Sequence, residues 1–217
     1  MKRAAGLTAA AAIWLAPLAS SFGQSIANGS FETPVLSSNS FLYDPSGAIW
    51  TFLNNAGIIS APGAGFFGPP APDGNQYAFL QSADNAGAFS QSIVFSLSGT
   101  YQLSYLVAGR SDNSQGAAGN LSYEVLLDST VIANDATTTG QPFTVRSFDF
   151  VASSGSHILT FEAVPNGADN TAFFDLIAIQ PVPEPAVGLL LLSSVSGFLF
   201  IRAVKRHQRI NNGSALI

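Results

Sequence analysis

The chain has 217 residues and no cysteine, so neither disulfides nor thiolate metal sites can form. Its formal net charge is −5 at pH 7, but residues 24–180 alone carry twelve carboxylates against two arginines, a formal charge of −10. A surface with this excess of negative charge repels phosphate backbones, so we expect no nucleic-acid partner. The same charge suits a divalent cation or a neutral glycan.

The first residues have the order of a secretory signal peptide. A basic pair, Lys2 and Arg3, precedes an apolar stretch over 4–18, and small residues follow it. Signal peptidase removes a segment of this kind after export through the Sec machinery. We therefore predict that residues 1–23 are a signal peptide and that the mature chain begins at Gln24.

Residues 24–180 form one predicted domain, in which apolar and polar side chains alternate between clusters of Gly, Asn, Asp and Ser. In the segment 99–107, for example, Tyr101, Leu103 and Tyr105 fall on one face. Many short strands without a long amphipathic segment predict an all-β sandwich of two antiparallel sheets. The other predicted strands are 25–31, 49–53, 77–81, 88–95, 121–127, 143–151 (with a bulge between Val145 and Phe148), 158–164 and 172–179.

The segment Asn28-Gly29-Ser30-Phe31-Glu32 opens this domain. It resembles the Asn-Gly-x-Phe-Glu opening of galactose-binding-like jelly-roll domains, a group that includes several carbohydrate-binding modules. The resemblance implies a jelly-roll topology. It also implies a structural Ca²⁺ held by Glu32 and Asp175, because equivalent carboxylates bind calcium in the related modules. From the residues themselves an alternative stays open, in which Glu32 caps a turn and Asp175 accepts hydrogen bonds from backbone amides.

Several aromatic residues in or beside the long loops are candidates for stacking against sugar rings. They are Tyr43, Trp50, Phe66 and Phe67. Trp50 also stands in an alternating, strand-like context, which favours a place in the core.

Arg110 is a further candidate for a glycan contact, because it ends a strongly apolar strand and its guanidinium suits sugar hydroxyls. The other interpretation is a structural ion pair with Asp112 or Asp169, which would anchor the loop 111–120. Both interpretations remain open from the sequence, and the ion pair is favoured.

We expect no catalytic activity from this domain. His157 is the only histidine in residues 24–180, and its place at a predicted strand start is more typical of a solvated turn residue than of a base. Neither a G-x-S-x-G nor an H-E-x-x-H motif occurs. No pair of carboxylates stands out among the twelve as a glycosidase pair.

A short acidic motif bounded by prolines, residues 181–185, follows the domain. Pro183 and Pro185 fix their own backbone and keep the residue before each of them extended. Glu184 is therefore expected to lie exposed in a non-helical linker.

An apolar run over 186–201 comes next and would span about 24 Å as a helix, against a hydrocarbon core of about 30 Å. The membrane-spanning segment reaches residue 204 if Arg202 extends its guanidinium to the lipid headgroups. We therefore predict a transmembrane helix over 186–204, rather than a buried helix of a soluble domain, and a cytoplasmic basic tail over 205–217. The cations that stop the segment are Arg202, Lys205, Arg206 and Arg209.

A Pro-Glu-Pro motif, a membrane segment and a basic end, in this order, resemble the PEP-CTERM sorting signal of Gram-negative bacteria. The resemblance covers residues 181–209 and implies that an exosortase recognises and cleaves at Pro183, Glu184 and Pro185. Ectodomains found upstream of such signals also resemble this chain at Arg110 and in the segments 73–80, 99–101 and 169–175.

These predictions place residues 24–180 outside the cytoplasm, first tethered to the inner membrane and then in the cell envelope or extracellular matrix. We expect a structural or surface role associated with exopolysaccharide. The alternative is a domain like a carbohydrate-binding module that recognises a glycan.

Overall fold

The computed structural model describes residues 26–61, 65–83, 85–111 and 118–183. The contacts divide the chain into two units, Met1–Pro181 and Val182–Ile217, and the first contains all the strands given below. The predicted signal peptide, Glu184, Pro185, the membrane segment and the basic tail lie outside the described residues. Within the described ranges there is no helix long and apolar enough to cross a membrane.

Eleven strands run through the described part of the chain. They are β1 (Phe41–Tyr43), β2 (Thr51–Leu53), β3 (Ala56–Ser60), β4 (Gln76–Gln81), β5 (Ala88–Phe95), β6 (Gly99–Gly109), β7 (Ser122–Leu127), β8 (Thr130–Ala136), β9 (Thr144–Ala152), β10 (Gly155–Ala163) and β11 (Thr171–Pro181). A six-stranded sheet has the order β1-β3-β4-β11-β6-β9, and a five-stranded sheet has the order β2-β5-β10-β7-β8. All neighbouring strands are antiparallel, which confirms the predicted two-sheet sandwich.

The main core lies between the two sheets and consists largely of aromatic rings. In β6, Tyr101, Leu103 and Tyr105 point inward as predicted, because side chains two residues apart share one face of a strand. Phe174 of the six-stranded sheet and Phe89 of the five-stranded sheet meet with ring centroids 5.6 Å apart. Rings from both sheets therefore fill the interior and hold the sheets together without disulfides.

Part of the six-stranded sheet is apolar on both faces, and we call the side that points away from the five-stranded sheet the outer face. Strand β4 is buried along its whole length. Its residues Tyr77 and Phe79 belong to a second hydrophobic cluster, together with Phe66 and Phe173. Phe66 comes from the connection between β3 and β4, so this connection covers part of the outer face.

The predicted strand at 25–31 is wrong. Residues 27–30 form a turn instead, and the N–H of Phe31 donates to the carbonyl of Asn28 at 3.1 Å. Both of these residues have positive φ, 54° for Asn28 and 57° for Phe31, which extended strands do not contain.

The predicted bulge in β9 is also wrong. Val145 and Phe148 pair with β6 in continuous register. The register shift in this sheet lies instead between Asp175 and Ala178 of β11. This bulge follows directly on a carboxylate that the sequence singles out as a metal ligand, so it helps to fix where that side chain points.

Candidate functional site

Four of the five predicted glycan contacts come together on the outer face of the six-stranded sheet. Tyr43 ends β1, Phe66 and Phe67 lie in the β3–β4 connection, and Arg110 directly follows β6. The carbonyl of Phe67 accepts the N–H of Ser111 at 3.3 Å, which holds this part of the connection beside Arg110. The chain thus assembles one polar and aromatic surface from three distant segments.

A chain of hydrogen bonds runs across this surface from Tyr43 to Arg110. The Tyr43 hydroxyl donates to Gln81 Oε1 at 2.5 Å, and Gln81 Nε2 donates to Asp169 Oδ1 at 2.7 Å. Asp169 Oδ2 accepts from Arg110 Nη1 at 3.2 Å. Thr171 Oγ1 is also within reach of Arg110 Nη1, at 3.4 Å. We call these five residues the polar chain.

The ion pair predicted for Arg110 forms with Asp169, while Asp112 lies outside the described residues. Arg110 is only 6% exposed, and its guanidinium carbon lies 5.2 Å from the centroid of the Phe66 ring. Its Nε is buried without a hydrogen-bond partner among the described residues. A buried cation needs its carboxylate partner, so Asp169 fixes the guanidinium in this place.

Burial raises the pKa of the Tyr43 hydroxyl, and the negative charge of Asp169 adds to this effect. The hydroxyl therefore keeps its proton at neutral pH and remains a donor to Gln81. This fixes the direction of the hydrogen bonds along the polar chain.

Aromatic rings surround the polar chain. Phe41 of β1 packs edge-on against Phe66 with ring centroids 4.9 Å apart, and Tyr43 packs edge-on against Phe79 at 5.0 Å. Phe66 itself is buried, whereas Phe41 and Tyr43 are partly exposed and Phe67 is 53% exposed. The exposed rings are the ones that a ligand can contact.

Trp50 does not belong to this surface. It is 2% exposed and packs between Phe31 and Phe89 in the main core, with ring centroids 5.4 Å from each. Its Nε1 donates to the carbonyl of Asn28 at 3.0 Å, so its polar atom is also satisfied inside the protein. The candidate role of Trp50 in glycan contact is therefore wrong, and its alternating sequence context indicates the core correctly.

Sequence reasoning missed Phe41 and Gln81. Phe41 alternates with Tyr43 in the same short strand, a signal that is visible in the sequence. Gln81 is different, because only the pairing of β4 with β11 places it opposite Thr171 and near Asp169. No local pattern in the sequence shows that contact.

The two predicted metal ligands lie on either side of the segment 73–76. Glu32 Oε1 accepts the N–H groups of Asn75 at 2.9 Å and Gln76 at 2.8 Å. Asp175 Oδ2 accepts the N–H of Asp73 at 3.2 Å, and its Oδ1 accepts that of its neighbour in the β11 bulge at 2.7 Å. The backbone hydrogen bonds of the alternative interpretation are therefore present.

Asp175 is fully buried, and burial raises its pKa to about 7. The nearby negative charges of Asp73 and Glu32 raise it further, while the backbone hydrogen bonds lower it. Burial is the main physical cause, because a charged carboxylate is poorly solvated there.

The family of the chain follows from a comparison with models of known families. The model described as HpiC1-like: HpiC1 cyclase matches residues 24–162, more than half of the chain. The chain belongs to the HpiC1-like family. No curated protein sequence matches this HpiC1-like chain.

Solved structures that resemble this HpiC1-like chain include carbohydrate-binding modules. The module TmCBM61, in complex with β-1,4-galactotriose, has a TM-score of 0.51 at 12% identity, over 73% of this chain and 99% of that chain. A module CBM36 in complex with calcium and xylotriose has a TM-score of 0.42 at 22% identity, over 58% and 89% of the two chains. A family 35 module from Clostridium thermocellum has a TM-score of 0.42 at 13% identity, over 60% and 90%. The first likeness shows that the two chains share the jelly-roll sandwich fold.

The carboxylate oxygens of Glu32 and Asp175 are the kind of ligand that a hard cation such as Ca²⁺ prefers, but they are too few to complete its coordination. Calcium takes about 6–8 oxygen ligands, and Glu32, Asp73 and Asp175 are the acidic residues near one another at this place. Among the described residues, no group of three or more His, Cys, Asp or Glu side chains is arranged to hold a metal. Backbone carbonyls or water would have to complete a calcium site.

Proposed function

We propose that the domain recognises a glycan on the outer face of the six-stranded sheet, as a carbohydrate-binding module does. The observation that supports this proposal is the polar chain from Tyr43 to Arg110 with exposed aromatic rings beside it. Sugars present hydroxyl groups at their edges and C–H groups on their faces. A surface of fixed donors and acceptors beside exposed rings matches both.

The ligand groups available are few and well defined. Asp169 is half exposed and can accept hydrogen bonds from two neighbouring hydroxyls, while Phe67 offers an exposed ring on a segment that is hydrogen-bonded to the residue after Arg110. Arg110 is almost fully buried, so its main role is to hold the Asp169 carboxylate in position rather than to contact the sugar directly.

A glycan array with the purified protein tests this proposal. We expect binding to a limited set of oligosaccharides, and we expect Phe67→Ala to weaken it about tenfold or more, which equals roughly 1.4 kcal/mol. Val151→Ala is the matched control, because Val151 is exposed on β9 of the same sheet but lies at the other end of β6. An array without binding contradicts the proposal and favours a structural role in exopolysaccharide without a small ligand.

We also propose that the protein is exported and sorted through its C-terminal signal, with an exosortase as the processing partner. The order of the motif, apolar segment and basic end in the sequence supports this proposal. Its test is the mass of the mature protein in producing cells, compared with that of Glu184→Ala. We expect the wild-type protein to lack both ends and the variant to keep its C-terminal segment in the inner membrane. Equal masses contradict it.

A structural calcium ion at Glu32 and Asp175 is a further part of the proposal. Its support is the buried carboxylate of Asp175 with two acidic neighbours, an arrangement that a divalent cation would stabilise. In such a site Glu32 and Asp175 would act as ligands, and the ion would join the segment 73–76 to β11.

We propose that the domain is not a catalyst, although the family description contains the word cyclase. Its support is that the hydroxyl of Tyr43 and the carboxylate of Asp169 are both bound within the polar chain. Incubation with a polysaccharide panel followed by product analysis tests this. A product that forms with the wild-type protein and not with Asp169→Asn contradicts it.

A further inference from the structure

A small cavity lies at the end of the sandwich opposite the polar chain. Ala152, which lines it, pairs with Gly99 at the start of β6, whereas Arg110 follows the end of the same strand. The cavity has a volume of about 190 Å³, which is smaller than the roughly 300–1,000 Å³ of sites for drug-sized ligands. It therefore suits a ligand group of a few heavy atoms.

Both aliphatic and polar residues line the cavity, and three of the polar ones, Asp128, His157 and Ser153, are joined by hydrogen bonds. The aliphatic residues are Leu127, Ile132, Val151 and Ala152. The polar residues are Asp128 from the turn between β7 and β8, Thr130 at the start of β8, Ser153 from the turn after β9, and His157 of β10. Two neighbouring turns thus meet at one mouth between the edges of the two sheets.

His157 is held rigidly in this mouth, so it is not the solvated turn residue that the sequence indicates. Its Nδ1 lies 2.8 Å from Asp128 Oδ2, and its ring packs edge-on against Phe95 with centroids 5.6 Å apart. Its Nε2 lies 3.1 Å from the carbonyl oxygen of Ser153 and 3.2 Å from the hydroxyl of the same residue. Both ring nitrogens are therefore engaged within the protein.

Ser153, His157 and Asp128 are connected like the nucleophile, base and orienting acid of a catalytic triad. The geometry does not support this chemistry. Nε2 is as near to the Ser153 carbonyl as to its hydroxyl. The N–H of Ser154, the next donor along the chain, is bound to Ser98 Oγ at 2.9 Å and is not free to stabilise an oxyanion. The three residues form a fixed scaffold around the cavity instead.

The scaffold leaves hydrogen-bond acceptors for a ligand. Asp128 is a half-exposed carboxylate, and its Oδ1 accepts the N–H of Ile158 at 2.9 Å. This bond and that from His157 lower the pKa of Asp128, so it is ionised at neutral pH. The hydroxyls of Thr130 and Ser153 are further acceptors, whereas both ring nitrogens of His157 are already engaged within the protein.

We propose that this cavity binds a primary alkylammonium group, with the charged nitrogen at Asp128 and the methylene chain against the aliphatic walls. An ammonium carries three donors and no acceptor, which matches a carboxylate and two hydroxyls. A short aliphatic chain matches Leu127, Ile132 and Val151. The site is separate from the polar chain and does not depend on the proposed glycan function.

Titration of the purified full chain with n-butylammonium chloride at pH 8, followed by NMR, tests the proposal. We expect saturable shifts at Thr130, Val151 and Ser153, and about tenfold or more weaker binding for Asp128→Asn. Asp149→Asn, an exposed acid on β9 that is bound to Gln102, is the matched control and keeps full affinity. Neutral n-butanol and anionic butyrate should not bind. Absence of saturable shifts, or equal binding by Asp128→Asn, overturns the proposal.

A second variant keeps the test valid if Asp128→Asn loosens its turn. Val151→Phe enlarges an exposed residue that lines the cavity without removing a polar group, and Val145→Phe places the same ring elsewhere on β9. We expect the first to lose binding and the second to retain it, at unchanged melting temperature. Nα-acetyl-lysine amide and glucosamine, both titrated at pH 7 where each is mainly an ammonium ion, distinguish a protein lysine from an amino sugar as the source of the ammonium.

Discussion

The guanidinium carbon of Arg110 lies 5.2 Å from the centroid of the Phe66 ring, and this contact joins the polar and aromatic parts of the outer face. The same guanidinium donates from Nη1 to Asp169 Oδ2 at 3.2 Å. Phe66 in turn packs against Phe41 and Phe79. A buried cation thus connects the loop that covers the sheet to the carboxylate that we propose as a glycan ligand.

Replacement of Asp169 by Asn should lower the free energy of unfolding by about 1–2 kcal/mol. The buried guanidinium of Arg110 loses its counter-charge, but the cost stays moderate because Asp169 is half exposed. Urea denaturation measures the change. Asp149→Asn, whose exposed carboxylate accepts a hydrogen bond from Gln102, should change the stability little. Equal losses in both variants would contradict a specific role of the Arg110 pair.

Trp50→Ala should destabilise the protein by about 3–5 kcal/mol, because the ring fills the core between Phe31 and Phe89. Tyr43→Ala, at the partly exposed end of the polar chain, should cost far less stability and should weaken glycan binding. Denaturation and glycan titration of both variants measure this contrast. A folded Trp50 variant with lost affinity would contradict the assignment of Trp50 to the core alone.

The alternation of apolar and polar side chains predicted the strands well where one face of the strand points into the core along its whole length. Tyr101 and Tyr105 of β6 are examples. The turn at residues 27–30 could not be predicted in this way. Phe31 adopts a positive φ, and a phenylalanine in the sequence does not indicate this backbone conformation. The exposed Val145 and the inward Phe148 looked like a bulge, yet they lie on opposite faces of a regular strand.

The Asp175 carboxyl should make stability depend on pH in the absence of calcium. Its pKa in the folded protein is raised to about 7 by burial, from an ordinary value of 3.8. The folded state therefore binds the proton more tightly, and stability falls as the pH rises from about 4 to 7. At roughly 1.4 kcal/mol per pKa unit, the full effect is about 4 kcal/mol at most. Asp175→Asn should flatten this slope in denaturation curves recorded with a chelator.

Calcium should act in the opposite direction if Glu32 and Asp175 bind it. At pH 7 an ion at these carboxylates stabilises only the folded state, so the melting temperature should rise with calcium and fall with a chelator. Glu32→Gln should remove the difference, while Glu124→Gln, a partly buried acid on β7 of the five-stranded sheet, should keep it. A melting temperature that does not change with the chelator contradicts the site.

The site itself was less accessible to sequence reasoning than the fold. The sequence indicated Arg110 at the end of an apolar strand and left its partner open between Asp112 and Asp169, and the structure shows the pair with Asp169. Gln81 was not, because its contact depends on the register in which β4 meets β11. The second apolar face of β4 was equally hidden, since a strand that is buried on both sides shows no alternation.

Gly29→Ala should destabilise the protein by about 1–3 kcal/mol. A Cβ at Gly29 would lie 2.3 Å from the carbonyl oxygen of Ile177, and the carbonyl of Gly29 already accepts the Ile177 N–H at 3.0 Å. Gly99→Ala is the control, because a Cβ there has no heavy atom within 4 Å. Thermal denaturation of both should show a large loss for the first and little change for the second.

The most direct test of the proposed function is a map of where a bound oligosaccharide contacts the protein. NMR titration of the purified protein, with a glycan that binds on the array, gives this map. We predict shifts at Tyr43, Phe67, Gln81 and Asp169 on the outer face. Shifts confined to the opposite end of the sandwich, or no shifts with any glycan, would contradict the outer face as the binding surface.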